Sequence, residues 1–232
     1  MINNKGVCKL DDKDNKLWLF DYNQGIKYEE FSKCQDINNK IKIFLQNHFE
    51  FKDKVILEIG SGSGKFTSML ADKCLKLYVV EKSISLMQIN RIKNASANNI
   101  DFMHIDARNL VLNSNSIDII FAGWCLTSIR DSFDIMFKIF KDVLKKDGVI
   151  ILIENAGNDE FCKIMEIEEF TNKMREKYID MRFTEKEILS TTIQLPNKNV
   201  FYNAFPNKNN ANITSLNINH NVLILQMEAS KL

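Results

Sequence analysis

Val55-Ile-Leu-Glu-Ile-Gly60-Ser-Gly62-Ser-Gly64-Lys-Phe-Thr67 decides how the rest of this chain is read. Val55 to Ile59 is a short apolar run closed by a turn signal, which predicts a buried strand with one acid, Glu58, near its end. Three glycines at alternate positions follow. Glycine has no Cβ and tolerates positive φ, so a ligand can lie against the backbone of such a turn. Lys65 to Lys73 is then expected to form a helix with Phe66, Met69 and Leu70 on one face. A strand, a glycine turn and the open N–H groups of a helix start make a cradle of the nucleotide-binding type.

Spacing separates the possible cradles. A phosphate-binding P-loop, G-x-x-x-x-G-K-[ST], would need glycine at Ile59 and a hydroxyl at Phe66, and both positions fail. The dinucleotide fingerprint G-x-G-x-x-G would put its third glycine at Lys65 or Thr67. What remains, E-x-G-x-G-x-G, resembles motif I of the class I S-adenosylmethionine-dependent methyltransferases. The ligand so implied carries a zwitterionic methionine tail and a sulfonium instead of a pyrophosphate. An acid ahead of the glycines suits it.

Working outward, residues 1–35 are polar but carry Leu17-Trp-Leu-Phe20, Tyr22, Tyr28 and Phe31, more aromatics than a free tail needs. They either pack on the main domain or cover a ligand site. Ile37, Ile41, Phe44 and Leu45 recur at helical spacing from Asp36, a plausible N-cap, to His48. Leu77 to Glu81 reads as a second strand, with Glu81 placed 17 residues beyond Gly64. That is near the distance at which a mononucleotide-binding unit sets a ribose-gripping carboxylate, whose two oxygens can accept both diol hydrogens. Ser83 to Asn94 follows as a helix with Leu86, Ile89 and Ile92 on one face; an acid capping it is the plainer reading of Glu81.

Ile100 to Ile105 is a third strand, ended by Asp106-Ala107, with His104 expected as a satisfied histidine inside the sheet. Ser116 to Gly123 is a fourth strand, with Trp124 directly after it. Ligands sit outside the carboxyl ends of such strands, so Gly123 and Trp124 are candidates to line the site. Trp124 can offer a π face to a sulfonium or simply pack. Asp131 to Lys146 reads as an amphipathic helix, broken by Asp147-Gly148, and Val149 to Ile153 as the fifth strand, opening at Glu154-Asn155. A helix over about 158–178, a strand over 187–195 stopped by Pro196, and a strand over 221–226 complete the pattern. Residues 197–221 hold 10 asparagines yet keep Phe201, Tyr202 and Phe205, so a cap or loop over 196–220 is expected.

With 232 residues, 45% hydrophobic and 26% charged, the chain is read as one domain, 1–232, with a cover segment over 1–35 and a cofactor-binding core over 36–228. A net charge of +1 gives no global attraction to nucleic acid, and no basic run is interleaved with aromatics. Five cysteines form no C-x-x-C pair, which points to reduced thiols, no metal site and a cytoplasmic protein. No stretch approaches the roughly 20 apolar residues of a membrane span.

The resemblance to class I methyltransferases covers about residues 36–228. It implies a Rossmann-like α/β/α sandwich whose seven-stranded, mostly parallel sheet ends in an antiparallel strand. It implies S-adenosyl-L-methionine as cofactor and S-adenosyl-L-homocysteine as product. The turn of Gly60, Ser61, Gly62 and Gly64 would face the methionine moiety, Glu58 support its amino group, Glu81 hold the ribose and Asp106 meet the adenine. Lys82, Ala107, Gly123 and Trp124 would line the same site. For a base, Asn155, Tyr22 and His48, with Glu154 and Tyr28, are the available polar groups. Strand four ends Phe-Ala-Gly-Trp instead of the Asp/Asn-Pro-Pro-aromatic sequence of amide and base methylators, and the compact size with the aromatic N-terminal and asparagine-rich C-terminal covers favours a small-molecule acceptor. Ile153-Glu-Asn155 is slightly like protein N-terminal methyltransferases, so a peptide or protein amine is the alternative acceptor, and a non-catalytic partner subunit the alternative class.

Overall fold

The computed structural model describes residues 25–206 and 213–226. Helices α1 (Gly25–Cys34) and α2 (Lys40–His48) lead into a βα alternation: β1 (Val55–Ile59), α3 (Thr67–Ala71), β2 (Lys76–Glu81), α4 (Ile84–Lys93), β3 (Ile100–His104) and β4 (Ile117–Gly123). After a 3-10 stretch, Leu126–Ser132, come α5 (Phe133–Val143), β5 (Leu144–Asn155), α6 (Glu160–Met165), α7 (Glu168–Asp180), β6 (Thr184–Gln194), α8 (Lys198–Ala204) and β7 (Ser215–Gln226). The strands form one sheet in the order β3-β2-β1-β4-β5-β7-β6. The first five are parallel, and β7 runs antiparallel between β5 and β6. This is the seven-stranded α/β/α architecture that the resemblance implies.

The near-continuous apolar runs of β1, β4 and β5 follow from burial on both faces. Alternate residues serve opposite layers. Leu57, Ile59, Ile120 and Leu152 pack with Phe133, Met136 and Phe140 of α5 and Met174 and Tyr178 of α7. On the other face Ile56, Ile119, Phe121 and Ile151 pack with Ile41 and Leu45 of α2 and Met69 and Leu70 of α3. A third, smaller cluster joins Phe31 of α1, Phe161 and Cys162 of α6 and Phe201 of α8 to Ile193, Leu216 and Ile218 at the far end of the β6–β7 pair. The described part of the 1–35 cover is thus packed, through Phe31, against the cap.

Several element boundaries differ from the sequence reading for identifiable reasons. The helix expected to reach Lys146 ends at Val143, because Leu144 already pairs with Ile117 of β4. The helix expected over 158–178 is two: Ile167 N–H bonds Cys162 O and Glu166 N–H bonds Lys163 O, a Schellman stop with Glu166 in the left-handed region (φ 58°). Strands β6 and β7 begin at Thr184 and Ser215, earlier than the 187 and 221 of the sequence reading, because they pair with each other along nearly their whole length. The helix read over Lys65–Lys73 shrinks to Thr67–Ala71. In α4 the buried positions are Leu86, Met87 and Asn90, whereas Ile92 is 77% exposed. Asp36 caps α2 from a distance, its carboxylate accepting Lys40 N–H at 2.8 Å and Ile41 N–H at 3.0 Å. His104 closes the edge strand β3 and is exposed, with Nε2 3.0 Å from Lys82 O, so it is a partnered histidine of the sheet but not a core one.

Candidate functional site

The strand order reverses between β1 and β4, and there the chain forms a cavity at the carboxyl ends of β1, β2, β4 and β5. The glycine turn is its floor. Gly60 N–H and Ser61 N–H bond Val80 O at 2.9 and 3.2 Å, tying the turn to β2. Gly60 has φ +64°, and a Cβ there would stand 2.2 Å from Cys125 Sγ. Gly64 has φ +87°, and a Cβ there would stand 2.3 Å from Asn90 Oδ1. Both positions combine a backbone that L-residues avoid with no room for a side chain.

Beneath the turn runs a buried polar chain. Asn90 Nδ2 donates to Ser61 Oγ (3.1 Å) and Thr67 Oγ1 (2.9 Å), Thr67 Oγ1 donates to Glu58 Oε2 (2.7 Å), and Asn94 Nδ2 donates to Asn90 Oδ1 (2.7 Å). Burial pushes the Glu58 carboxyl up to about 8, Thr67 pulling against it and the Glu81 charge adding to it. The side chains of Glu58 and Ser61 therefore lie under the turn, and neither lines the cavity, nor does Gly64.

The acids at the next two strand ends do reach it. Glu81 is buried, its Oε2 accepting Gly62 N–H (2.9 Å) and its Oε1 accepting Ser83 N–H (2.8 Å). Burial raises its pKa, opposed by those N–H groups. Asp106 is held by Arg108 through Nε (2.8 Å) and Nη2, and that hydrogen bonding holds its carboxyl down at about 2. Lys82, Ala107, Gly123 and Trp124 complete this wall. Trp124 sits in the left-handed region (φ 53°), rests on Phe66 and His220, and donates its Nε1–H to His220 Nδ1 at 3.3 Å. Of the two uses open to Trp124, packing is thus realised in the fold itself. His220 is fully buried between Trp124 and Thr191 Oγ1 (2.8 Å), and burial pushes its pKa down to about 3, leaving it neutral.

Helix α1 roofs the cavity with Tyr28 and Phe31. It is pinned by Lys65, whose Nζ donates to Ser32 O and Gln35 O, each at 2.8 Å, and by the Lys93–Glu29 ion pair at 2.6 Å. Away from the glycine turn, the cavity continues between the 126–132 stretch and α7. Here Glu154, the penultimate residue of β5, accepts Thr127 N–H and Tyr178 O–H, each at 3.2 Å. Burial lifts its pKa to about 7. Arg175 clamps Glu185 through Nε and Nη2, and Asn221 also donates to Glu185.

Of the sequence candidates, Gly60, Gly62, Glu81, Lys82, Asp106, Ala107, Gly123, Trp124 and Asn155 are brought together on the cavity wall, with Glu154 and Tyr28. His48 is not: it stacks on Phe44 at 4.1 Å on the exposed side of α2. Tyr22 lies outside the described residues. Cys125, Thr127, Arg175 and Tyr178 line the cavity without having been singled out in the sequence. The 171/174/178 spacing of Thr171, Met174 and Tyr178 is the helical signal that marks that inner face of α7. Among the described residues no group of three His, Cys, Asp or Glu could hold a metal ion, and no helix is long and apolar enough to cross a membrane.

Residues 57–152 match the family model described as a methyltransferase domain. Over 107 residues the chain is 30% identical to phosphoethanolamine N-methyltransferase 1 of Caenorhabditis elegans, covering 45% of this chain and 22% of that protein. The chain thus spans about a fifth of the length of the curated relatives it matches first. In structure it is similar to a SAM dependent methyltransferase from Aquifex aeolicus, with a TM-score of 0.57, 14% identity and coverage of 88% of this chain and 98% of that one. It is also similar to Haemonchus contortus phosphoethanolamine N-methyltransferase 1 in complex with phosphoethanolamine and S-adenosylhomocysteine, with a TM-score of 0.51, 19% identity and coverage of 63% of this chain and 33% of that one.

Proposed function

We propose that this chain, which has the fold of solved methyltransferases and matches a methyltransferase-domain model over residues 57–152, methylates an oxygen or nitrogen of a small-molecule acceptor with S-adenosylmethionine as donor. The observation that carries this reading is one continuous cavity. Its floor is the side-chain-free turn of Gly60 and Gly62, its side wall bears Glu81 and Asp106, and it extends to Glu154.

The residues present fit S-adenosyl-L-methionine. A Cβ on Gly62 would meet only Tyr28 Cε1, at 3.6 Å, so the turn leaves its cavity side open to a ligand. Glu81 accepts Gly62 N–H and Ser83 N–H on its two oxygens, and a carboxylate has capacity for further hydrogen bonds, so it can also accept from a ribose hydroxyl. Asp106, kept ionised by Arg108, is a constant acceptor for an adenine amino group. Lys82, Ala107, Gly123 and Trp124 flank these contacts, and Ser61, Gly64 and Glu58 hold the turn from beneath instead of touching the ligand. When bound, the sulfonium supplies an already electrophilic methyl carbon. The chain's own contribution is to hold an acceptor atom in line with it and keep water out, a proximity effect worth up to about 7–11 kcal/mol. The α1 roof, closed by Tyr28 and Phe31, supports a small acceptor over a peptide or protein amine, which would need an open groove.

Titration of S-adenosylhomocysteine followed by heat and melting temperature tests the reading, with binding in the micromolar range expected. A folded sample that binds neither S-adenosylhomocysteine nor S-adenosylmethionine would overturn it in favour of a non-catalytic partner. Glu81→Ala is expected to weaken that binding about tenfold or more, because a hydrogen bond to a charged acceptor is worth about 1.5–3 kcal/mol. Unchanged affinity would remove the ribose assignment.

A further inference from the structure

Glu154 is a carboxylate that the fold does not need as a carboxylate. Its hydrogen-bond partners are neutral: Thr127 N–H and Tyr178 O–H, which a glutamine oxygen would accept equally well. An ionisable acid in this position carries a desolvation cost that no neighbouring cation offsets. The two cations at this end of the cavity are committed elsewhere. Arg175 is clamped on Glu185, and Arg130 lies over the Phe170 ring at 4.9 Å with Nη1 3.4 Å from Thr127 O. The cavity wall is rich in aromatics: Phe170 and Tyr178 of α7, with Phe161 and Phe205, line the same cavity as Glu154. A buried acid in an aromatic chamber is complementary to a positive charge on an apolar body and hostile to a negative one.

We propose that Glu154 receives the nitrogen of an amine acceptor and takes its proton, so that the acceptor is a primary or secondary amine on an apolar body, not a phosphorylated or carboxylated compound. This rests on the methyl-transfer reading given above. The amine enters as an ammonium ion, R–NH3+, paired with the Glu154 carboxylate. One N–H proton passes to the carboxylate, leaving R–NH2 and a neutral glutamic acid. The nitrogen lone pair then forms the new C–N bond while the methyl–sulfur bond breaks with its electron pair going to sulfur. The product is R–NH2+–CH3, and the Glu154 proton leaves to solvent as the cavity reopens. Burial assists both halves of the proton transfer: it raises the carboxyl and lowers the ammonium, bringing the two closer in proton affinity.

The test compares 2-phenylethylamine with 2-phenylethanol, the neutral compound of the same shape, by calorimetry at pH 8, on the protein alone and saturated with S-adenosylhomocysteine. The amine is expected to bind at least about tenfold more tightly than the alcohol, as a charge-assisted hydrogen bond requires. In Glu154→Gln that preference is expected to fall below about threefold, and in Glu154→Asp, which keeps the charge, to recover in part. Equal binding of amine and alcohol by the unaltered protein, a comparison needing no variant, would overturn the proposal. So would a preference that survives Glu154→Gln in a folded sample. Failure to bind S-adenosylhomocysteine counts against methyl transfer instead, and the amine preference on the protein alone is read independently of it.

Discussion

Gly64→Ala is expected to lower the melting temperature by about 6–12 °C. The new Cβ would stand 2.3 Å from Asn90 Oδ1 and 2.7 Å from Asn90 Cγ, so Asn90 must move. Moving it leaves Ser61 Oγ, Thr67 Oγ1 and Asn94 Nδ2 short of a partner inside the protein. The left-handed backbone adds about 1–2 kcal/mol for any L-side chain, and each buried group left unsatisfied about 1–3 kcal/mol. A loss of about 3 kcal/mol in a chain of this size corresponds to the stated shift, at about 2–4 °C per kcal/mol. Scanning calorimetry of Gly64→Ala, Asn90→Ala and the double variant checks it. The double variant should lose less than the two singles together, since both act on one network. A shift within 2 °C for Gly64→Ala, or strict additivity, would refute this account of the turn.

The second large effect is on pH. The Glu58 carboxyl titrates near 8 in the folded protein against about 4.5 when free, and Glu154 moves the same way, to about 7. Between those limits the unfolded chain binds fewer protons than the folded one, so stability falls as pH rises from about 4.5 towards 8. Below about 4.5 both states are protonated and the contribution is fully present. Lys65, pushed down to about 8 by burial, has the opposite sign but acts only above that pH, where the unfolded chain holds its proton longer. At about 1.4 kcal/mol per pH unit, Glu58 alone contributes up to about 4 kcal/mol of slope across pH 5–8. Glu58→Gln keeps an acceptor for Thr67 and removes the charge. It is expected to raise the melting temperature at pH 8 by several degrees, to change little at pH 5, and to flatten the curve between. Parallel melting curves for variant and parent across pH 5–8 would show that Glu58 does not carry the slope.

The fold was legible because each strand of the parallel half is an apolar run ended by a turn signal, and the glycine spacing excluded two of the three cradles. That Glu81, Asp106 and Gly123 share one cavity was legible for the same reason: they sit at or beside strand ends, and strand ends converge in an open α/β sheet. What failed was anything that depended on pairing or on the inside of a helix being polar. Asn90 and Asn94 sit on the buried face of α4, where periodicity favours Ile89 and Ile92, because the polar chain beneath the glycine turn outweighs hydrophobic matching. Glu58 opens the motif in sequence but faces Thr67, and a strand residue's face depends on which neighbour it packs against. The hydrogen bonding of Glu154, a candidate in the sequence, was hidden because Thr127, Tyr178 and Glu154 come from three elements that no local spacing connects.

The sheet order has a consequence for synthesis on the ribosome. Among the described residues β6 pairs in the sheet only with β7, and β7 is made after it. Until residues 215–226 emerge, the apolar Val149–Ile153 segment of β5 is a bare edge and β6 has no partner at all. The nascent chain can therefore complete β1 to β5 but must wait with an exposed, β-prone border that invites pairing with another copy. Insertion of β7 is then the step that converts an aggregation-prone intermediate into a closed protein. A chain stalled before residue 215 is expected to be a client of the chaperones that shield such edges.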